Sequence, residues 1–113
     1  MTTLITRDEL QAAIAGGAVV VLDALAGEYW EKQHLPGAVP LHADDVERVH
    51  AELLPDRDAL IVTYCSNVAC RNSQDVATKL ERLGYTDVRK YREGIEDWAG
   101  AGLPVESGRG MEG

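Results

Sequence analysis

The reactive side chains of this 113-residue sequence gather in one short stretch, YCSNVACRNS, residues 64 to 73. It holds both cysteines of the chain, Cys65 and Cys70, and an arginine, Arg71. Cysteine reacts as its thiolate, and ionisation is favoured beside a cation or a helix N-terminus. This stretch offers both. A β-type run, LIVTY, ends at Tyr64, and a helical pattern, SQDVATKLERL, begins at Ser73. The free N–H groups of a helix start, with the positive end of its dipole, favour an anion in the preceding turn. A thiolate, a ring of amide donors and a guanidinium are the parts needed to attack, or to carry, a small group attached to an oxyanion. The alternative is that a cysteine here is only a small buried hydrophobe. The strand end, the helix start and the arginine together favour chemistry for Cys65. Cys70 stands between a chemical role and a loop filler.

The elements around this stretch must place it. A short strand is expected near residues 3–5. Thr6-Arg7-Asp8-Glu9 then reads as a capping box, opening a helix with Leu10 and Ile14 on its apolar side and Gly16-Gly17 at its end. Residues 18–22, AVVVL, form a β-branched run suited to a strand buried on both faces, stopping at Asp23. Residues 28–33 fit one or two helical turns, Pro36-Gly37 a turn, and 38–41 a brief strand. Asp44 or Asp45 is placed to cap a helix carrying Val46, Val49 and Leu53. Residues 60–64 form the second strong strand. The strongest helix covers 73–83, with Val76, Ala77, Leu80 and Leu83 on one face and Gly84 as its stop. A strand at 87–91 and a helix at 95–101 with Trp98 follow. This alternation predicts an α/β fold, a parallel sheet with helices on both faces. In such sheets, sites collect at the carboxyl ends of strands, where Cys65 falls. One domain over 1–106 and a disordered tail over 107–113 are expected.

Composition narrows the partners. The chain is 45% hydrophobic and 27% charged, as for a globular domain. Eleven basic against nineteen acidic residues give a net charge of −8, which argues against nonspecific nucleic-acid or anionic-membrane binding. A local positive site for a small anion remains compatible with that. No apolar run approaches the roughly 20 residues of a membrane span. The opening MTTLITRDEL lacks a signal-peptide pattern, so a cytoplasmic location is expected. Two cysteines are too few for a disulfide scaffold, and a reducing compartment keeps them as thiols. With three dispersed histidines no zinc cluster is expected, so neither metal nor cofactor is assigned.

Four segments in register give the sequence a family resemblance across roughly residues 3–105. VVVLDA is similar to a strand ending in aspartate. EYWEKQHLPGAVPL is similar to the segment written "GHIPGAINI". IVTYCSNVACRNSQDVATKLERLGY is similar to the strand, cysteine loop and helix, and VRKYREGIEDWAGAGLPV to the closing "GG…W…GLP". The chain resembles a single-domain rhodanese. The resemblance implies a rhodanese-like, mostly parallel five-stranded sheet and a sulfurtransferase. Cys65 would become a persulfide by taking the outer sulfur of thiosulfate or of a persulfide donor. It would pass that sulfur to a thiol, cyanide or protein acceptor. By the same match, Ser66, Asn67, Val68, Ala69, Cys70 and Arg71 line the substrate pocket. Asp23 is structural support, His34 a structural hydrogen-bonding residue and Trp98 core packing.

Three departures open other readings. The family's "DVR" is Asp23-Ala24-Leu25 here, without its arginine. The usual loop arginine, five positions after the cysteine, is Cys70 here, and Arg71 is one further. The loop has no glycine, which leaves Asn67 as its residue most tolerant of positive φ. Cys-x5-Arg is the spacing of rhodanese-fold phosphatases and related arsenate reductases, a loop wide enough for phosphate or arsenate. Cys70 adds a third reading. It could resolve an oxidised or persulfidated Cys65 as a disulfide, making the loop a redox switch or a two-cysteine relay, provided the Cα atoms lie within about 7 Å.

Overall fold

A computed structural model describes residues 2–25 and 27–107. Five strands form one parallel sheet: β1 (Thr3–Leu4), β2 (Val20–Asp23), β3 (Val39–Pro40), β4 (Leu60–Tyr64) and β5 (Asp87–Tyr91). Their order across the sheet is β1-β5-β4-β2-β3. The helices are α1 (Arg7–Gly16), α2 (Gly27–Lys32), α3 (Val46–Leu53), α4 (Asn72–Arg82) and α5 (Gly94–Gly100). The tail expected over 107–113 falls, beyond Ser107, outside the described residues.

Period-two alternation along the central strands divides the core. Leu22, Ile61 and Val88 point to one face, where Val46 of α3 and Val76, Ala77 and Leu80 of α4 cover them. Val21, Val62, Tyr64 and Tyr91 point to the other, under Leu10 of α1 and Ile95 and Trp98 of α5. Both faces of β2 and β4 are thus dry, which explains their β-branched runs.

The start of α1 follows local chemistry, while that of α3 does not. Thr6 and Glu9 make the expected reciprocal pair, at 3.1 and 2.9 Å, and Gly17 closes α1 in the left-handed region at φ 73°. At α3 the expected aspartate cap does not form. Asp45 occupies the N-cap position, but its carboxylate turns to Arg48 at 2.7 Å. A 3-10 turn over Ala43–Asp45 precedes the helix, and the His42 ring accepts from the Asp44 N–H there.

Topology points to one place on the sheet. The chain leaves β2 toward β3 on one side and leaves β4 toward β5 on the other, although β2 and β4 are neighbours. Connections that diverge from adjacent parallel strands open a crevice at their carboxyl ends. Asp23 and Tyr64, the last residues of β2 and β4, lie opposite each other there.

Candidate active site at the ends of β2 and β4

Beneath the crevice lies a buried polar plug. The Tyr64 hydroxyl donates to Asp23 Oδ2 at 2.7 Å and accepts from the Leu35 N–H at 3.1 Å. The other Asp23 oxygen accepts from the Leu25 N–H at 2.8 Å, closing the turn after β2. Ala24 N–H donates to the Tyr64 carbonyl at 2.9 Å, extending the ladder one residue past the strands. Burial and the neighbouring Asp23 carboxylate push the Tyr64 hydroxyl far above its ordinary range, so it stays a neutral donor. Asp23 therefore aims its carboxylate at the frame of the site, through Tyr64 and the turn at Leu25.

Cys65 is the next residue after this plug and is 1% exposed. Its carbonyl accepts from the Ile95 N–H at 2.9 Å, and the Ser66 carbonyl accepts from the Glu96 N–H at 3.0 Å. These bonds seat the start of the loop on the first turn of α5. The approach is close at Gly94, which adopts φ 75°. A Cβ there would lie 2.5 Å from the Ser66 carbonyl oxygen and 2.7 Å from that of Cys65. No real Cβ sits so near a carbonyl oxygen.

The far side of the loop is organised by Asn67 rather than by glycine. Its Oδ1 accepts from the Ala69 N–H at 2.9 Å, its carbonyl from the Cys70 N–H at 3.1 Å, and its amide donates to Glu96 at 3.2 Å. This Asx turn does locally what a left-handed glycine would do. It brings the Cα atoms of Cys65 and Cys70 to 6.1 Å, and the two are joined as a disulfide. That separation lies inside the usual range of about 4.4–6.8 Å. Val68 and Ala69 form the exposed tip, and Cys70 is half-buried at the lip. The amides of Ala69 and Cys70 are thus committed inside the loop in this form. A full ring of inward amides from Ser66 to Arg71 is not what the disulfide form presents.

Arg71 stands exposed at the N-cap position of α4, where no side chain caps the helix. Thr63 Oγ1 donates to the Ser73 carbonyl at 3.0 Å, tying the first turn of α4 to β4. A cleft of about 340 Å³ opens beside Ser66, lined by Leu25, Tyr29, Lys32, Gln33, Ile95 and Glu96. Leu25, which replaces the family's arginine, makes one wall apolar, and Lys32 supplies the cleft's cation. A larger groove of about 390 Å³ runs along α3, away from the cysteine loop, whereas the smaller cleft adjoins that loop through Ser66.

His34 is buried, with Trp30 and Glu106 as its partners. Its ring stacks on Trp30 at 4.3 Å between centroids, and its Nδ1 lies 2.6 Å from the Trp30 carbonyl, which fixes Nδ1 as the protonated nitrogen. Backbone bonds of 2.8 Å each way join it to Glu106. Trp98 is buried and donates its indole N–H to the Pro104 carbonyl. Sequence reasoning missed Gly94, Glu96 and Tyr64. A glycine between the strand at 87–91 and the helix that follows was the available signal for Gly94. The other two act through partners 29 or more residues away. Among the described residues, no three His, Cys, Asp or Glu side chains form a metal site, and no helix is long and apolar enough to cross a membrane.

The five-stranded parallel sheet with its flanking helices is a fold shared with known proteins. Residues 6–101 match the rhodanese-like domain, and the chain belongs to that family. It is similar to an HTH-type transcriptional regulator, Rv0324 of Mycobacterium tuberculosis, at 35% identity over 92% of this chain. The match spans 45% of the regulator's length. Among solved structures, the BH2092 protein of Bacillus halodurans superposes with a TM-score of 0.85 at 24% identity, covering 98% of this chain and 82% of that one. A thiosulfate sulfurtransferase of Pseudomonas aeruginosa superposes with a TM-score of 0.82 at 25% identity, over 94% of this chain and 20% of that one.

Proposed function

We propose that the protein is a sulfurtransferase whose acceptor atom is the Cys65 sulfur. The observation that carries this reading is the position of Cys65 in a rhodanese-like chain: buried, at the end of β4, before the uncapped start of α4 and one residue ahead of Ser66, which lines an open cleft. The reduced protein is the active form. The Cys65 thiolate attacks the outer sulfur of thiosulfate, a new S–S bond forms, and sulfite leaves with the electron pair of the bond it loses. Cyanide or a thiol then attacks the outer sulfur of the Cys65 persulfide and returns Cys65 as thiolate. A protein thiol is a third acceptor class, for which the exposed Val68 and Tyr29 beside the cleft offer apolar contact. Lys32, Arg71 and the α4 N-terminus supply positive potential for an anionic donor. A pair that must be reduced to work suits a reducing compartment such as the cytoplasm.

The phosphatase and arsenate reductase reading rests on the Cys65–Arg71 spacing alone. The sulfurtransferase reading is tested with thiol-reduced protein, thiosulfate and cyanide, following thiocyanate. Turnover is expected for the natural sequence and none for Cys65→Ser. Thiocyanate production that survives the substitution would overturn it.

A further inference from the structure

We propose that Cys70 discharges the Cys65 persulfide inside the loop, releasing hydrogen sulfide and leaving the Cys65–Cys70 disulfide that the structure contains. The inference builds on the sulfurtransferase reading and adds a product that needs no external sulfur acceptor. Three observations carry it. The loop already brings the two sulfurs to bonding contact, with Cα atoms 6.1 Å apart across five residues. The geometry is held by bonds that do not involve the sulfurs: Ile95 and Glu96 fix the Cys65 end, and the Asn67 turn fixes the approach of Cys70. The two cysteines also differ in access, since Cys65 is 1% exposed and Cys70 is half-buried at the lip.

The step balances as thiol–disulfide exchange. The Cys70 thiolate attacks the inner sulfur, Sγ of Cys65. The Cys70–Cys65 S–S bond forms and the bond from Cys65 to the outer sulfur breaks. The outer sulfur leaves with the electron pair and takes a proton as hydrosulfide. It is reduced from sulfane sulfur to sulfide, and the two cysteine sulfurs are oxidised to the disulfide. Reset requires two electrons, delivered by a dithiol protein or by two small thiols, which end as their own disulfide. The difference in access directs that reset. The incoming thiolate reaches the sulfur of Cys70 first and expels the Cys65 thiolate. Each cycle therefore expels Cys65 from the disulfide and turns a sulfane sulfur plus two thiols into sulfide plus a disulfide.

The test compares reduced wild-type protein with Cys70→Ala and Cys70→Ser, freed of reductant and given thiosulfate under anaerobic conditions with no acceptor. Sulfide and intact mass are read together, so the readout is the fate of the sulfur rather than the rate of loading. The wild type is expected to release one equivalent of sulfide and to end two hydrogens lighter than its reduced form. Both variants are expected to gain one sulfur atom and release no sulfide until a thiol is added. A wild-type chain that keeps its added sulfur as the variants do, or variants that release sulfide as the wild type does, would overturn the role of Cys70 and leave the sulfurtransferase reading standing. If all three chains fail to take up sulfur, both readings fall together.

Discussion

Cys65 and Cys70 share one loop, yet the molecule holds them by different means. Cys65 follows a strand with both faces in the core, rests on the Asp23–Tyr64–Leu35 plug, and is bonded through its carbonyl to α5. Cys70 hangs on a turn made by a single side chain, that of Asn67, at a partly exposed rim. The contrast matches the chemistry proposed for each. A nucleophile that must meet a donor in one geometry gains from a fixed frame. A residue that must approach to close a disulfide, and withdraw when it is reduced, gains from a lighter one.

Three substitutions probe this contrast, in order of decreasing effect. Gly94→Ala strikes the fixed end. The left-handed conformation alone costs about 1–2 kcal/mol, and the collision with two backbone carbonyls adds to it. A total near 3 kcal/mol would lower the melting temperature by roughly 10 °C. A melting temperature within about a degree of wild type would show that the seat on α5 does not hold the loop.

Tyr64→Phe removes the centre of the plug and leaves the buried Leu35 N–H without its acceptor, at about 1–3 kcal/mol in a denaturant melt. It also has a signature in pH. Burial raises the hydroxyl pKa of Tyr64, and of Tyr91 as well, in the folded protein. Their contribution is fully present below the unfolded value near 10 and is lost as pH rises beyond it. Stability should therefore fall above about pH 10, and fall less steeply in Tyr64→Phe, where only the Tyr91 part remains. Equal alkaline slopes would remove Tyr64 from the frame.

Asn67→Ala touches only the light end. Losing the Asx turn is worth about 0.5–1.5 kcal/mol at most, so the melting temperature should fall by no more than about 5 °C. Disulfide closure after mild oxidation of the reduced protein should slow. Closure at the wild-type rate would show that the loop reaches its disulfide geometry without this turn.

Much of the frame was legible in the sequence. The strands β2 and β4 announced themselves as β-branched runs, over 18–22 and 60–64, because both their faces are buried. Thr6-x-x-Glu9 announced α1 because its capping is local. Cys65 was placed at a strand end by the same run. What was not legible depends on distant partners. Asp45 was the natural cap for α3, but Arg48 drew its carboxylate away and His42 capped the preceding turn instead. A loop without glycine left its turn chemistry open until Asn67 was seen to supply it. Whether Cys70 meets Cys65 depends on five residues of loop conformation, which carry no periodic signal. The tight seat of Gly94 required knowing that α5 packs on the loop from 28 or 29 residues further along the chain.

The most direct measurement is peptide mapping by mass spectrometry of reduced Cys70→Ala protein after brief exposure to thiosulfate, before and after cyanide. Removing Cys70 holds the intermediate in place. One added sulfur atom on the peptide containing Cys65, removed by cyanide, is the predicted result. No added sulfur, or sulfur found on another peptide, would contradict the assignment of Cys65 as the acceptor atom.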